Sequence, residues 1–157
     1  MSLEDRFKSF AREQEDPVRQ HHGAYERNME SLQKVDAMVS KILETFCQAV
    51  GWRLKRNDCC DSAKGAVSCN YILEHQDHWR EGFVAVDVEV TWGSQSDPVE
   101  AVTVYQGEIV GAADHVRDFS SRVVVPFFRL TEESLAAALE QQSGNLIKRI
   151  SYRENSQ

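Results

Sequence analysis

A run of apolar residues at helical spacing is the feature that most constrains how this chain can fold. Over residues 17–50 these residues recur every three or four positions, which keeps them on one side of an α-helix for about six turns. Gly51 follows the run and is a typical helix C-cap. The pattern predicts a helix about 40–50 Å long at 1.5 Å per residue. Its apolar side consists of Tyr25, Met29, Leu32, Val35, Val39, Ile42, Phe46 and Ala49.

A helix of this length exceeds what a domain of 157 residues needs to cover its own sheet. In one interpretation the whole apolar side still faces the core of the chain. In the other, which we favour, part of the helix extends beyond the core and packs against a partner protein or a second copy. The interaction residues predicted on that interpretation are Tyr25, Met29, Leu32 and Val35.

A shorter helix is predicted before the long one, because Leu3, Phe7 and Phe10 also have helical spacing. The residue before a proline disfavours helical backbone, so this first helix should end at Asp16. Asp16 and Pro17 then make a good start for the next helix, as its N-cap and its first helical residue.

After Gly51 the apolar residues recur at every second position, instead of at every third or fourth as in the helix. Over residues 84–92, for example, four valines alternate with Ala85, Asp87, Glu89 and Thr91. Such alternation predicts an antiparallel strand with one buried and one solvated side. Four to six strands of this kind follow one another, which predicts an antiparallel meander.

The strands are followed by a C-terminal helix. Thr131 is a typical N-cap, and the two glutamates after it favour the positive end of the helix dipole. A stop is expected near Gly144. The fold class predicted is α+β, in a single domain over residues 1–157, with the C-terminal helix packed on the sheet. Its parts are a helical region (1–51), an antiparallel sheet (52–129) and a C-terminal helix with a tail (130–157); the pattern leaves residues 111–122 and 145–157 open.

Composition indicates an ordinary globular domain, with 41% hydrophobic and 27% charged residues. No apolar run approaches the ~20 residues that a membrane helix needs. The charged N-terminus lacks the layout of a secretory signal, and four cysteines are too few for a disulfide scaffold. We therefore expect a soluble, cytoplasmic protein with no membrane partner.

The net charge of −7 is concentrated in the middle of the chain. Residues 57–118 contain three basic and twelve acidic residues, a net charge of −9. Proteins that bind nucleic acid usually present a basic surface, so we expect no nucleic-acid partner. A solvated sheet face is the simplest explanation of the acidity.

The segment from Cys59 to His78 contains the residue types that bind metals or react through thiols, including the adjacent cysteines Cys59 and Cys60. Structural zinc sites prefer pairs of ligands separated by two to four residues, whereas the two cysteines here are adjacent and their side chains diverge in an extended backbone. Acidic neighbours on both sides raise a thiol pKa, which disfavours a reactive cysteine. We predict no metal and no cofactor, and the weak candidates for ligands are Cys59, Cys60, His75 and His78.

No motif for nucleophilic catalysis, phosphate binding or dinucleotide binding is present. Asp87 and Glu89 alternate on the wet side of one strand, which predicts two carboxylates about 7 Å apart. Asp114 and His115 form the most enzyme-like local cluster. The weak catalytic candidates are therefore His75, Asp87, Glu89, Asp114 and His115.

Three functional hypotheses follow. The first is a non-enzymatic interaction module, adaptor-like or chaperone-like, whose partner is a protein and in particular a second copy. The second is a small-molecule-binding domain or an enzyme with a pocket between sheet and helices. The third is a zinc or thiol site between Cys59 and His78. The absence of a catalytic motif favours the first.

Overall fold

A computed structural model of the chain describes residues 2–61, 66–92, 98–110, 115–118 and 122–156. Within these ranges, the backbone alone is described for residues 17–25, 59–61, 92, 98, 109–110 and 115–118. Asp114 and most of the ambiguous segment 111–122 therefore lie outside the described residues. In the part of the chain that is described, no helix is both long and apolar enough to cross a membrane.

The N-terminal region is one continuous helix, α1, Leu3–Val50. The Ser2 side chain caps it by accepting the Asp5 N–H, and Gly51 ends it in the left-handed conformation with φ 75°. The predicted break at Pro17 is wrong. Proline removes one hydrogen bond and costs about 3 kcal/mol inside a helix. The fixed φ of proline is nevertheless helical, so the helix continues without interruption through Pro17.

The sheet is an antiparallel meander, as predicted. Neighbouring strands pair in chain order from β1 to β5, and β6 pairs with the same strand, β4, as β5 does. The strands are β1 Trp52–Asp61, β2 Ala66–His75, β3 Phe83–Trp92, β4 Pro98–Val110, β5 His115–Asp118 and β6 Val123–Pro126.

The C-terminal helix, α2, spans Glu132–Asn155. Thr131 and Ser134 form a reciprocal capping box, because each side chain accepts the backbone N–H of the other residue. The predicted stop near Gly144 is wrong. Ser143, the preceding residue, is only 1% exposed, so the helix is packed at this point. Ile150, further along the same helix, is also buried in the core.

Both helices pack on the same side of the sheet and share one core. The valines of β3 at positions 84, 86, 88 and 90 are fully buried there together with Leu43 of α1 and Leu139 of α2. The α+β class and the packing of the C-terminal helix on the sheet are thus confirmed. Strand alternation turns Asp87 and Glu89 to the opposite side of the sheet, which neither helix covers.

Candidate functional site

The N-terminal part of α1 extends beyond the core. The helix has 48 residues and is about 72 Å long. Among the described side chains, Asn28 is the first that is buried, and every described side chain before it is exposed. We call residues 3–27 the overhang; at 1.5 Å per residue it is about 37 Å long.

The overhang presents a row of large apolar side chains to solvent. Leu3, Phe7 and Phe10 are 65%, 60% and 60% exposed. Their spacing of four and three residues puts them on one side of the helix. Large apolar patches exposed in this way mark sites of interaction in proteins.

Little within the described part of the overhang stabilises it as an isolated helix. The ion pair between Lys8 and Glu4, 2.9 Å long, is exposed and contributes a few tenths of a kcal/mol. Pro17 removes a backbone hydrogen bond from the same segment. Most helices in proteins are stabilised by packing of their apolar side, and the overhang lacks such packing within the described part of this chain.

A groove runs between α1 and α2 on their outer surface, at the other end of α1. We call it the helix groove. Its volume is about 450 Å³. The floor is apolar, and the rim carries one lysine and two glutamates. The lining residues are Lys41, Ile42, Thr45, Phe46 and Ala49 of α1, with Glu132, Ala136, Leu139 and Glu140 of α2.

Three of the four predicted interaction residues lie where α1 packs on the core. Leu32 is buried in the core, and Met29 and Val35 are half-buried against it. The side chain of Tyr25 lies outside the described residues. Leu3, Phe7 and Phe10 are not among the predicted interaction residues, because their spacing predicts a separate short helix.

A second candidate site surrounds Arg56 of β1. Its guanidinium binds Asp36 of α1 with an Nη1–Oδ2 distance of 2.8 Å and Asp58 with an Nε–Oδ1 distance of 2.9 Å. Tyr71 of β2 donates its hydroxyl to the other oxygen of Asp36. Arg56 also donates to Tyr71 Oη and to Cys69 Sγ. The cluster therefore ties α1 to the first two strands.

The Arg56 cluster borders a cavity of about 220 Å³. Two carboxylates, Asp36 and Asp58, and one guanidinium line it, so its formal charge is −1. Arg56 holds the pKa of Asp58 below its usual value. Burial, with a smaller contribution from Asp58, raises the pKa of the Cys69 thiol to about 12, so this sulfur is not a nucleophile at neutral pH.

The uncovered side of the sheet carries the predicted carboxylate pair. Asp87 accepts a hydrogen bond from Asn70 Nδ2 on the neighbouring strand. Burial, followed by the charge of Asp87, raises the pKa of Glu89. On the same side, the Arg122 guanidinium lies 4.2 Å from the centre of the Tyr105 ring. The register places Asn70 directly opposite Asp87 and Tyr105 opposite Ala85.

His75 has a structural position at the end of β2. Its Nδ1 accepts the backbone N–H groups of Asp77 and His78, each at 3.0 Å. Its Nε2 lies 2.9 Å from the Glu154 carboxylate. Since Nδ1 is an acceptor, the proton resides on Nε2 and is donated to Glu154. His75 thereby fixes a turn and ties it to α2.

The remaining predicted ligands and acid–base residues are not assembled into a site within the described part of the chain. The His75 and His78 rings lie 5.0 Å apart, but no group of three or more His, Cys, Asp or Glu among the described residues could hold a metal. The side chains of Cys59, Cys60 and His115 lie outside the described residues, as does all of Asp114.

Comparisons with protein-family models, with curated proteins and with solved structures find no match to this chain.

Proposed function

We propose that the protein is an interaction module, of adaptor or chaperone type, that acts as a homodimer through the overhang of α1. One observation carries the proposal: a helix extends about 37 Å beyond its own core with Leu3, Phe7 and Phe10 exposed along one side. Covering these side chains would supply the packing that the overhang otherwise lacks.

The energetics support association through this surface. Burying a phenylalanine side chain contributes about 1.5–3 kcal/mol, and a twofold-symmetric pair buries each residue twice. Such a gain is enough to offset part of the entropy lost on association. The cytoplasm is the compartment we propose, and the free thiols of Cys47 and Cys69 are compatible with a reducing environment.

The mass of the protein in solution, measured by light scattering over a range of concentrations, tests this function. The native chain should be a dimer, and Phe7→Glu or Phe10→Glu should weaken the dimer at least tenfold. Glutamate is a good helix former, so these substitutions should leave the helix itself intact.

Ser9→Glu is the matched control. It introduces the same charge between Phe7 and Phe10 but on the opposite side of the helix. It should leave the dimer unchanged, and circular dichroism should show equal helix content in all variants. A native chain that remains monomeric at every concentration would rule out this function.

A second candidate function is binding of a small cationic molecule in the cavity beside Arg56. The observation in its favour is the net negative charge of a half-enclosed site built from Asp36, Arg56 and Asp58. Native mass spectrometry of gently purified protein should then reveal an added small mass, and Asp58→Asn should remove it. Native chain without added mass would count against this candidate.

A further inference from the structure

A seven-residue repeat connects the overhang to the helix groove at the other end of α1. Starting from Leu3, alternate steps of four and three residues define what we call the heptad seam. Its two ends are apolar, and its middle is mostly polar. The seam consists of Leu3, Phe7, Phe10, Gln14, Pro17, His21, Ala24, Asn28, Ser31, Val35, Met38, Ile42, Thr45 and Ala49.

The seam moves around the helix as it runs along it. A repeat of 3.5 residues drifts by about 20° per heptad relative to the 3.6 residues per turn of a straight helix. From Phe7 to Ile42 it passes through five heptads, a rotation of about 100°. It therefore starts in line with the core-facing side of α1 and ends on the side that lines the helix groove, at Ile42, Thr45 and Ala49.

We propose that the overhang of one chain lies in the helix groove of a second copy, and that the second copy does the same in return. This inference rests on the proposed homodimer and specifies its geometry. The two α1 helices run antiparallel, and seam residues whose numbers add up to 52 lie opposite one another. At each end of the pair, Leu3 faces Ala49, Phe7 faces Thr45 and Phe10 faces Ile42 of the second copy.

At two of three positions the pairing matches a large side chain with a small one. Leu3 meets Ala49 and Phe7 meets Thr45, whereas Phe10 meets the larger Ile42. Phe46 and Leu139 complete the apolar floor of the groove around that position. One symmetric contact thereby covers both the apolar side of the overhang and the helix groove.

The charges beside the seam agree with the same register. In this antiparallel pair of helices, the residues that directly precede seam positions 7, 14, 21, 28, 35 and 42 lie across from one another. Glu13 then lies opposite Lys41 of the second copy, and symmetry repeats this pair at the other end. At the twofold axis the two Arg27 side chains face each other, so the centre contributes less than the ends.

Cross-linking combined with the solution mass tests the geometry. Phe7→Cys with Thr45→Cys places two cysteines across the seam, within the Cα separation of up to about 7 Å that a disulfide allows. Mild oxidation should yield a covalent dimer on a non-reducing gel, at several times the yield of Ser9→Cys with Thr45→Cys. The native chain under the same oxidant gives the background from its own four cysteines.

A charge exchange tests the same register without altering the seam. Glu13→Lys and Lys41→Glu should each weaken the dimer about fivefold, because each places like charges opposite at both ends of the pair. The two changes together should restore the native affinity. Glu44→Lys, on the side of α1 away from the seam, is the control and should have little effect.

The outcomes separate this inference from the function on which it rests. A dimer with preferential cross-linking and charge rescue supports both. A dimer with neither one refutes the register while the proposed homodimer stands. A monomeric native chain refutes both.

Discussion

Replacing Arg56 by alanine tests whether the ion pair between α1 and β1 stabilises the fold. Arg56 is the basic partner of Asp36, whose side chain is only 13% exposed. After the substitution, the Asp36 carboxylate keeps the Tyr71 hydroxyl as a hydrogen-bond donor but loses its compensating charge. A buried charge without a partner is destabilising, because solvent cannot stabilise it.

The magnitude follows from the exposure of the two partners. Removing one partner of a fully buried ion pair costs about 3–5 kcal/mol. The Arg56 side chain is 45% exposed, so solvent already screens part of the interaction. We expect the free energy of unfolding to fall by about 2 kcal/mol, which is a decrease of about 4–8 °C in Tm for a chain of this size.

Urea denaturation at fixed protein concentration measures the change. Asp36→Asn removes the charge that Arg56 compensates, so Arg56→Ala should cost less than about 1 kcal/mol when it is added to that variant.

Lys55→Ala is the control on the same strand. Lys55 pairs with buried Glu74 at 2.8 Å, but Glu74 keeps Arg53 as a second basic partner, also at 2.8 Å. This substitution should therefore cost less than about 1 kcal/mol. Equal losses from Arg56→Ala with and without Asp36→Asn would show that the Asp36 charge is not what Arg56 stabilises.

Three further predictions concern the core and the shifted pKa values. Val86 is fully buried, and Val86→Ala should lower the free energy of unfolding in urea by about 2–3 kcal/mol. Val124 is 58% exposed, and Val124→Ala should change the same quantity by less than about 0.5 kcal/mol. Cys69, with its pKa raised to about 12, should resist iodoacetamide at pH 8 until the protein unfolds, and peptide mapping that finds it labelled in native protein would contradict this. Because the pKa of Glu89 is raised, the folded state binds the carboxyl proton of Glu89 more tightly than the unfolded state, and stability falls as the pH rises through this titration. Glu89→Gln should therefore raise the free energy of unfolding at pH 7. This gain should vanish below about pH 4, where the carboxyl group is protonated in both states.

The backbone architecture could be predicted because local patterns determine it. The change of period at Gly51 separates α1 from the sheet, and Thr131 marks the start of α2. The two errors share a cause: Pro17 and Gly144 oppose a helix by about 1–3 kcal/mol each. At Gly144 this preference is overridden because the helix is packed there, with Ser143 buried. At Pro17 the fixed φ of proline is itself helical, so the helix continues with one hydrogen bond fewer.

The candidate sites were less predictable, because they depend on how distant elements meet. Asp36 and Tyr71 are 35 positions apart, and only the placement of α1 on the sheet brings them together. Alternation alone put Asp87 and Glu89 on one side of the sheet. Pairing of Asp87 with Asn70, by contrast, required the register of two strands.

The position of α2 has a consequence for synthesis. The ribosome makes the valine-rich strands first, and 45 residues separate the end of β4 at Val110 from the end of α2 at Asn155. At 5–20 residues per second this interval lasts about 2–9 seconds. During that time α1, but not yet α2, is available to cover the nascent sheet. We expect a chain that stalls within this interval to be a target for chaperones, because the core valines that α2 helps to cover are still open to other chains.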